Sequence, residues 1–425
     1  MSLAQSQPNA PPVEIGGCPI SFTDPLVQVC PFPAMAKLHQ EQPVYRDPVS
    51  GFYVVTKFDE VMDVCQKVDI FSSRANVIFE RKNSPVAAEV HRLFEEQGFT
   101  HVDTLVSNDP PEFTFYRELA MNAFSMERVE ELTPLMKEIA NAIVDGFIER
   151  GAIEYRADFA IPFALFVIAD EMGVGRGEWK KFKVWSDAAM AQMNPVLSPE
   201  AELEVTRTII EMQQFLHQQA QSYRRQPANN LLSKLANLEQ GGRRLTDQEL
   251  ISMGHIILVA GNEATANSIA TSMFLMLSQP GVYERLQKDR SLLPNFNEEV
   301  LRYQTPIPHI YRLAKQDTEI SGVPIPKGSV VMVSWLGSNR DNDKFPDAEK
   351  FDVQRSNAKR HLAFGSGIHK CPGNLVARRQ LLVCLEVMLE RMKNIRLDES
   401  KPAPEFDPHF FARGLKHLHI KFERN

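Results

Sequence analysis

The run from Asp247 to Gln279 limits the possible folds of this chain more than any other segment. Thr246 with Glu249 three residues on has the pattern of a capping box, and the run stops at the residue before Pro280. A helix of 33 residues is about 50 Å long at 1.5 Å per residue, so it must cross the molecule. It is apolar on nearly all sides from Ile251 to Ala260, which predicts a buried helix with others packed around it. Upstream, helical patterns cover 112–123, 126–150, 157–172, 176–192, 199–224 and 229–238. Phe58 to Val68 is a further amphipathic helix, and Asn374 to Met392 another. Strand patterns are few: a hairpin from Val44 to Thr56, then 310–313, 317–320 and 329–333, and one near 415–422. The segment 71–107 shows no long periodicity and reads as a partly helical loop, and 339–373 reads mostly as loop. Residues 1–13 are polar and Pro-rich, a disordered arm. With no internal repeat, the expectation is one mainly α domain with a small β portion over 14–425.

Composition narrows the class. The net charge is −7 and charged residues make up 24% of the chain, a balance that argues against a protein built to coat nucleic acid or an anionic membrane. The most apolar stretch, Phe159 to Ala169, is about half the length needed to span a bilayer. Five cysteines lie far apart in sequence, and no signal peptide is evident, which predicts reduced thiols and a cytoplasmic protein without a membrane anchor.

The segment from His361 to Gln380, HLAFGSGIHKCPGNLVARRQ, carries chemistry. Cys371 sits between a Gly-rich loop and the start of an apolar helix, where free backbone N–H groups and the helix dipole stabilise a thiolate. Gly365, Gly367 and Gly373 let the backbone turn tightly and approach a flat partner, over which Phe364 can pack. His369 can hydrogen-bond an anionic group beside it. The pattern fits thiolate ligation of heme iron. A buried structural cysteine, a zinc site from His361, His369 and Cys371, and a catalytic thiol are the other readings.

Phe364-Gly-Ser-Gly-Ile-His369-Lys-Cys371-Pro-Gly373 resembles the heme-binding signature of the cytochromes P-450, the heme-thiolate monooxygenases. The resemblance extends from about residue 44 to the C-terminus and is to the bacterial type. It implies heme b, with Cys371 as iron ligand and the long helix lying over the heme. It implies an ion-pair network of Glu299 and Arg302 with Arg355. Glu89/Arg92 and Glu204/Arg207 share the Glu-x-x-Arg pattern, and position in the chain selects Glu299. Arg117, Arg312 and His369 are implied to hold the heme propionates, although Phe113 stands where bacterial members often carry histidine. On the long helix Ala260, Gly261 and Glu263 match the oxygen-facing motif, with Gly261 letting the helix open beside a ligand. The usual threonine is replaced by Ala264, and Thr265 comes one residue late, about 100° further round the helix. Glu263 then leads as proton donor, helped by ordered water or by a substrate hydroxyl.

The resemblance also implies a large apolar pocket. It draws on 71–107, the turn Met193 to Leu197, Val259 to Glu263, Ile307 to Ile310 and Phe410 to Arg413. Val259, Ile307, Phe410 and Phe411 are its apolar candidates, and Asn262, His309 and Arg413 its polar ones. Steroid, terpenoid and alkyl-aromatic substrates all suit it. From Ser356 to Gln380 there are Lys359, Arg360, Lys370, Arg378 and Arg379 but no Asp or Glu. Such a basic face suits an acidic ferredoxin, itself served by a ferredoxin reductase. The expected enzyme is a monomer that oxygenates a hydrophobic molecule with dioxygen. A peroxide-using or non-oxygenating relative is the alternative.

Overall fold

The computed structural model describes residues 12–75, 81, 84–193, 197–408 and 411–425, with Arg176 as backbone only. The chain opens with β1 (Glu14–Ile15) and β2 (Cys18–Pro19), α1 (Pro25–Val29) and α2 (Phe32–Glu41). Next come β3 (Val44–Arg46), β4 (Tyr53–Val55), α3 (Phe58–Gln66), β5 (Phe71–Ser72) and α4 (Ala87–Gln97). The helical body follows: α5 (Glu112–Ala123), α6 (Met126–Asp145), β6 (Ala152–Glu154), α7 (Ile161–Glu171), α8 (Trp179–Gln192), α9 (Pro199–Arg225), α10 (Leu231–Asn237) and α11 (Asp247–Ser278). The last part holds α12 (Val282–Lys288), α13 (Leu293–Tyr303), β7 (His309–Ala314), β8 (Thr318–Ile320), β9 (Val323–Ile325), β10 (Val330–Ser334) and α14 (Trp335–Ser338). It ends with α15 (Asn374–Arg391), β11 (Met392–Leu397) and β12 (His419–Arg424).

The long helix is α11. Its capping box forms in both directions between Thr246 and Glu249. One apolar core joins α6, α7, the C-terminal half of α11, α13 and α15. A second joins α5, α8, α9, α10 and the N-terminal half of α11. The main sheet has the order β3-β4-β10-β7-β5, with β10 parallel to β4 and the other pairs antiparallel. It sets Arg312 on β7 opposite Val331. β11, β12 and β6 form a smaller sheet.

Several expectations need correction. Helix α4 supplies the helical part of the segment read as a partly helical loop. Only Leu93 of it is buried, although Ala87, Val90, Leu93 and Phe94 share one side of the helix. The helix expected over 126–150 stops at Asp145, where Gly146 ends it and a 3₁₀ turn, Ile148–Arg150, follows. A π-helical turn, Arg156–Ala160, precedes α7. β6 and β11 went unread because a three-residue strand and one continuing a helix carry no period-2 signal of their own. Residues 1–11 of the expected arm lie outside the described residues, but Val13 is buried against the core with Ile20 and Phe22. No helix among the described residues is long and apolar enough to cross a membrane.

Candidate active site

The Cys371 loop is held by its own backbone. The Cys371 amide donates to Phe364 O (2.8 Å) and the Gly365 amide to Leu362 O (2.8 Å). Gly365 and Gly367 have φ of 70° and 67°, a left-handed conformation that a side chain disfavours. A Cβ on Gly367 would also lie 2.7 Å from the Cys65 carbonyl oxygen, so the loop presses against the end of α3. Gly373 caps α15, and Asn374 Nδ2 donates to Cys371 O (2.7 Å). Cys371 itself is half-buried. Burial pushes its thiol up, while the Gly373 amide and the charges of Arg117 and Arg378 pull it back. The Phe364 ring is covered by the Arg378 guanidinium at 4.4 Å, with His361 at 5.8 Å.

Three basic residues from distant elements meet here. His369 bonds Ser73 Oγ (2.9 Å) and Leu105 O (3.2 Å), and its ring packs on Phe113 at 4.2 Å. Burial, then the Arg312 charge, pushes its imidazole down to about 4. Arg117 on α5 donates to Lys370 O (2.6 Å). Arg312 is 5% exposed and, among the described residues, donates only to Tyr311 O (2.9 Å). Burial lowers both guanidiniums. Neither has a carboxylate within 4.0 Å among the described residues. Phe113, where a histidine was expected, thus serves as a packing surface for His369. Sequence reasoning missed Ser73 and Asp109: Asp109 accepts from Ser73 N (2.8 Å) and Ser72 Oγ (2.5 Å) and so fixes the His369 partner. Asp109 before two prolines was the available signal.

Behind the loop lies a buried ion network. Glu299 and Arg302 are both fully buried and pair at 2.7 and 2.8 Å, and Arg355 reaches Glu299 at 3.1 Å. Arg302 also donates to the carbonyls of Asn339, Ala348 and Lys350, and Arg355 to those of Pro346, Asp347 and Lys350. The rival Glu89/Arg92 pair is exposed and 4.0 Å apart. A second cluster was not foreseen. Glu298 accepts from Arg378 (2.6 and 3.0 Å) and lies 3.1 Å from His361. Arg378 is therefore tied inward and leaves the basic face. Among the described residues no group of three His, Cys, Asp or Glu could hold a metal ion, which removes the zinc reading.

On α11 four of the accessible residues fall on one arc. At about 100° per residue, Ile256, Ala260, Glu263 and Ala264 share one side, and each keeps exposed surface within a buried helix. Glu263 Oε1 accepts from Asn267 Nδ2 (3.1 Å) and pairs with Arg156 on the π-helical turn (3.5 Å). The other candidates turn away. Thr265 is buried, about 100° round from Ala264. A Cβ on Gly261 would meet Ile168 of α7 at 3.1 Å, so Gly261 serves helix packing and not an opening beside a ligand. Asn262 is 4% exposed and donates to Ser186 on α8 (2.7 Å), and Val259 is buried.

The remaining candidates divide. Ile307 and Phe411 are half-buried, and Phe410 lies outside the described residues, as do 194–196 of the Met193 to Leu197 turn. His309 is buried edge-on to Tyr311 and lines a small cavity with Phe22, Met35 and Arg413 beside the N-terminal segment. Arg413 is buried and bonds Gln304 and the carbonyls of Gln28 and Val29, with Phe406 at 4.0 Å. It ties the Gln28–Val29 turn near the start of the chain to the C-terminal segment.

A half-buried thiol in a glycine loop, beside one buried and one half-buried guanidinium with no carboxylate within 4.0 Å among the described residues, is the donor set of a heme-thiolate protein: a soft ligand for iron and cations for propionates. The family model "Cytochrome P450" matches residues 203–422. Cytochrome P450 monooxygenase PikC of Streptomyces venezuelae is 32% identical over 401 residues, 93% of this chain and 91% of the relative. Linalool 8-monooxygenase of Pseudomonas putida is 29% identical, with 93% and 97% covered. The structure of cytochrome P450 CYP109Q5 from Chondromyces apiculatus superposes with a TM-score of 0.84 at 30% identity, covering 96% of this chain and 98% of that one. The chain belongs to the cytochrome P450 family. It is an oxidoreductase of the monooxygenase class, and its cofactor is heme b.

Proposed function

We propose that this enzyme inserts one atom of dioxygen into a hydrophobic organic molecule, a steroid, terpenoid or alkyl-aromatic, with electrons from a ferredoxin and its reductase. Bound heme b supplies the activation of dioxygen, and a thiolate ligand favours O–O cleavage. Cys371 is the iron ligand, and Arg117, Arg312 and His369 hold the propionates. The observation that carries the reading is the buried Arg312 and the half-buried Arg117, which meet at His369 beside the Cys371 loop with no carboxylate within 4.0 Å among the described residues. Ala260 and Ala264 keep the α11 arc low, which leaves room for dioxygen and substrate. Glu263 is the proton-relay residue, its carboxylate oriented by Asn267 and Arg156. With Ala264 on the arc and Thr265 off it, the hydroxyl that accompanies this proton comes from water or from the substrate. A relative that acts on linalool supports a terpenoid-sized pocket. The exposed Lys359, Arg360 and Lys370, with Ile368 at 38% exposure among them, support an acidic partner on the Cys371 side.

Optical titration of the ferric protein with steroids, terpenoids and substituted aromatics tests this. A low-spin to high-spin Soret shift with one class names the substrate class. No shift with any class overturns the small-hydrophobe reading and points to a polar or carrier-tethered substrate. Cys371→Ser must lose the red-shifted Soret band of the reduced carbonyl complex, and retention of that band would overturn the ligand assignment.

A further inference from the structure

Between Glu249 and Val259 all residues are buried except His255 and Ile256, which are half-buried. Ile256 belongs to the arc described above. His255 lies about 100° to one side of it and has not entered the mechanism. Burial, then the His101 charge, pushes its imidazole down to about 4, so the ring is neutral at physiological pH. Neither ring nitrogen has a hydrogen-bond partner among the described residues. A deep side chain that still keeps accessible surface faces an internal space.

The neighbours of α11 identify that space. Asn262, two turns on and at nearly the same angle, bonds Ser186 of α8. Ser252 accepts from Val102 N (3.0 Å), and Gln248 Nε2 donates to Thr100 O (3.0 Å). Phe99 is clasped by Gln213 of α9, whose amide donates to Phe99 O and accepts from Phe99 N, both at 2.9 Å. A Cβ on Gly254, beside His255, would meet Leu216 of α9 at 3.3 Å. His255 therefore looks into the gap bounded by α8, α9 and the 99–102 segment. It stands about 7.5 Å along the helix axis from Ala260, five residues at 1.5 Å each.

We propose that His255 is a specificity-determining residue that hydrogen-bonds an uncharged oxygen, a hydroxyl or a ketone, on an otherwise apolar substrate, at the end remote from the reacting carbon. The proposal rests on the hydrophobic-substrate reading above. A hydrocarbon that covers this imidazole removes it from water and gives nothing back, whereas an oxygen restores the bond, so the residue discriminates by what it leaves unpaired. A carboxylate does not suit the position. Among the described residues the one charged neighbour that bears on it is His101, which lies 3.6 Å from Asp103.

The test is calorimetric binding to the holoenzyme of ligand pairs that share a carbon skeleton, a terpene hydrocarbon against its ketone and its alcohol. The quantity read is the ratio of the two Kd values within a pair. In His255→Phe the preference for the oxygenated member should shrink about tenfold, while hydrocarbon binding holds or tightens. His255→Gln, which can still donate and accept, should keep part of the preference. An unchanged ratio in His255→Phe overturns the proposal. Independently, in the unmutated enzyme the nitrogen resonances of His255 should move with the ketone and not with the hydrocarbon, and equal movement overturns it whether or not the variants fold. If no member of any pair binds, the substrate class proposed above fails and this assignment falls with it. Normal binding with a flat ratio removes this assignment alone.

Discussion

Behind the Cys371 loop the buried carboxylates find charged partners, although both amide atoms of Asn297 beside them have none among the described residues: Glu299 serves Arg302 and Arg355, and Glu298 serves His361 and Arg378. On the α11 side the polar groups are thinly satisfied. Asn262 Oδ1, Asn267 Oδ1 and Arg156 Nε are buried without partners among the described residues, and the 99–102 segment hangs on a few side-chain amides. A metal ligand has to be held rigidly, so saturating its supports stabilises the one geometry that works. A substrate side has to admit different molecules and release them, which incomplete hydrogen bonding allows. The largest expected effect is therefore on the first side. Glu299→Ala strands two buried guanidiniums, at a cost of about 3–5 kcal/mol and a large part of the net stability of a domain. Soluble yield, heme content and Tm should all fall. Glu89→Ala, in the exposed copy of the same motif, should change stability by less than about 0.5 kcal/mol. Similar Tm losses in the two variants would break the comparison.

On the substrate side the matching change is Gln213→Leu. It leaves the Phe99 N–H and C=O unpaired, at a cost of about 1–2 kcal/mol. The cost should appear locally, as faster amide exchange in 97–102 with Tm nearly unchanged. A Tm loss equal to that of Glu299→Ala would mean that the segment is part of the rigid body and not a yielding wall.

The same contrast explains what the sequence made legible. The Cys371 loop and the capped α11 could be read because each is local: a glycine pattern, a cap and a period, whereas the Glu299 pair shares its i, i+3 spacing with Glu89/Arg92 and Glu204/Arg207 and was selected by the resemblance. Arg117, Arg312 and His369 needed the family resemblance, since they lie far apart in sequence and are joined only by the sheet and the loop. What stayed hidden depends on neighbours. Gly261 looked like an opening until Ile168 stood against it. Arg413 looked like a substrate donor until Gln28, Val29 and Gln304 took its bonds. Arg378 looked like surface charge until Glu298 accepted from it.

Acid should sharpen the difference between the two sides. Burial pushes the Glu298 carboxyl up, but hydrogen bonds from His361 and Arg378 outweigh it and hold the group at about 2, below its ordinary 4.5. Burial lowers His361 from 6.5. Both folded values are depressed. His361 therefore contributes stability that is present above 6.5 and lost as the pH falls below it, and Glu298 stability that is present above 4.5 and lost toward about 2. Tm should drop from about pH 7 to about pH 5, and His361→Gln should flatten that slope. An equal slope in the variant would place the acid sensitivity elsewhere.

The smallest effects belong to α11 and give the finest test of its geometry. Ala264→Thr places a hydroxyl on the accessible arc beside Glu263. If the natural site relies on water or on a substrate hydroxyl, product formed per reduced nicotinamide with a substrate lacking a hydroxyl should rise several-fold, because such a gain reflects about 1 kcal/mol of better-placed proton delivery. With a hydroxylated substrate the gain should vanish. Thr265→Ala removes a hydroxyl that is buried on the far side of the same helix, so coupling should change by less than about twofold. The two substitutions are adjacent in sequence and opposite in direction. If Thr265→Ala uncoupled the reaction while Ala264→Thr left it unchanged, the helix would have to unwind locally to turn Thr265 inward, and the arc drawn here through Ala260, Glu263 and Ala264 would be wrong.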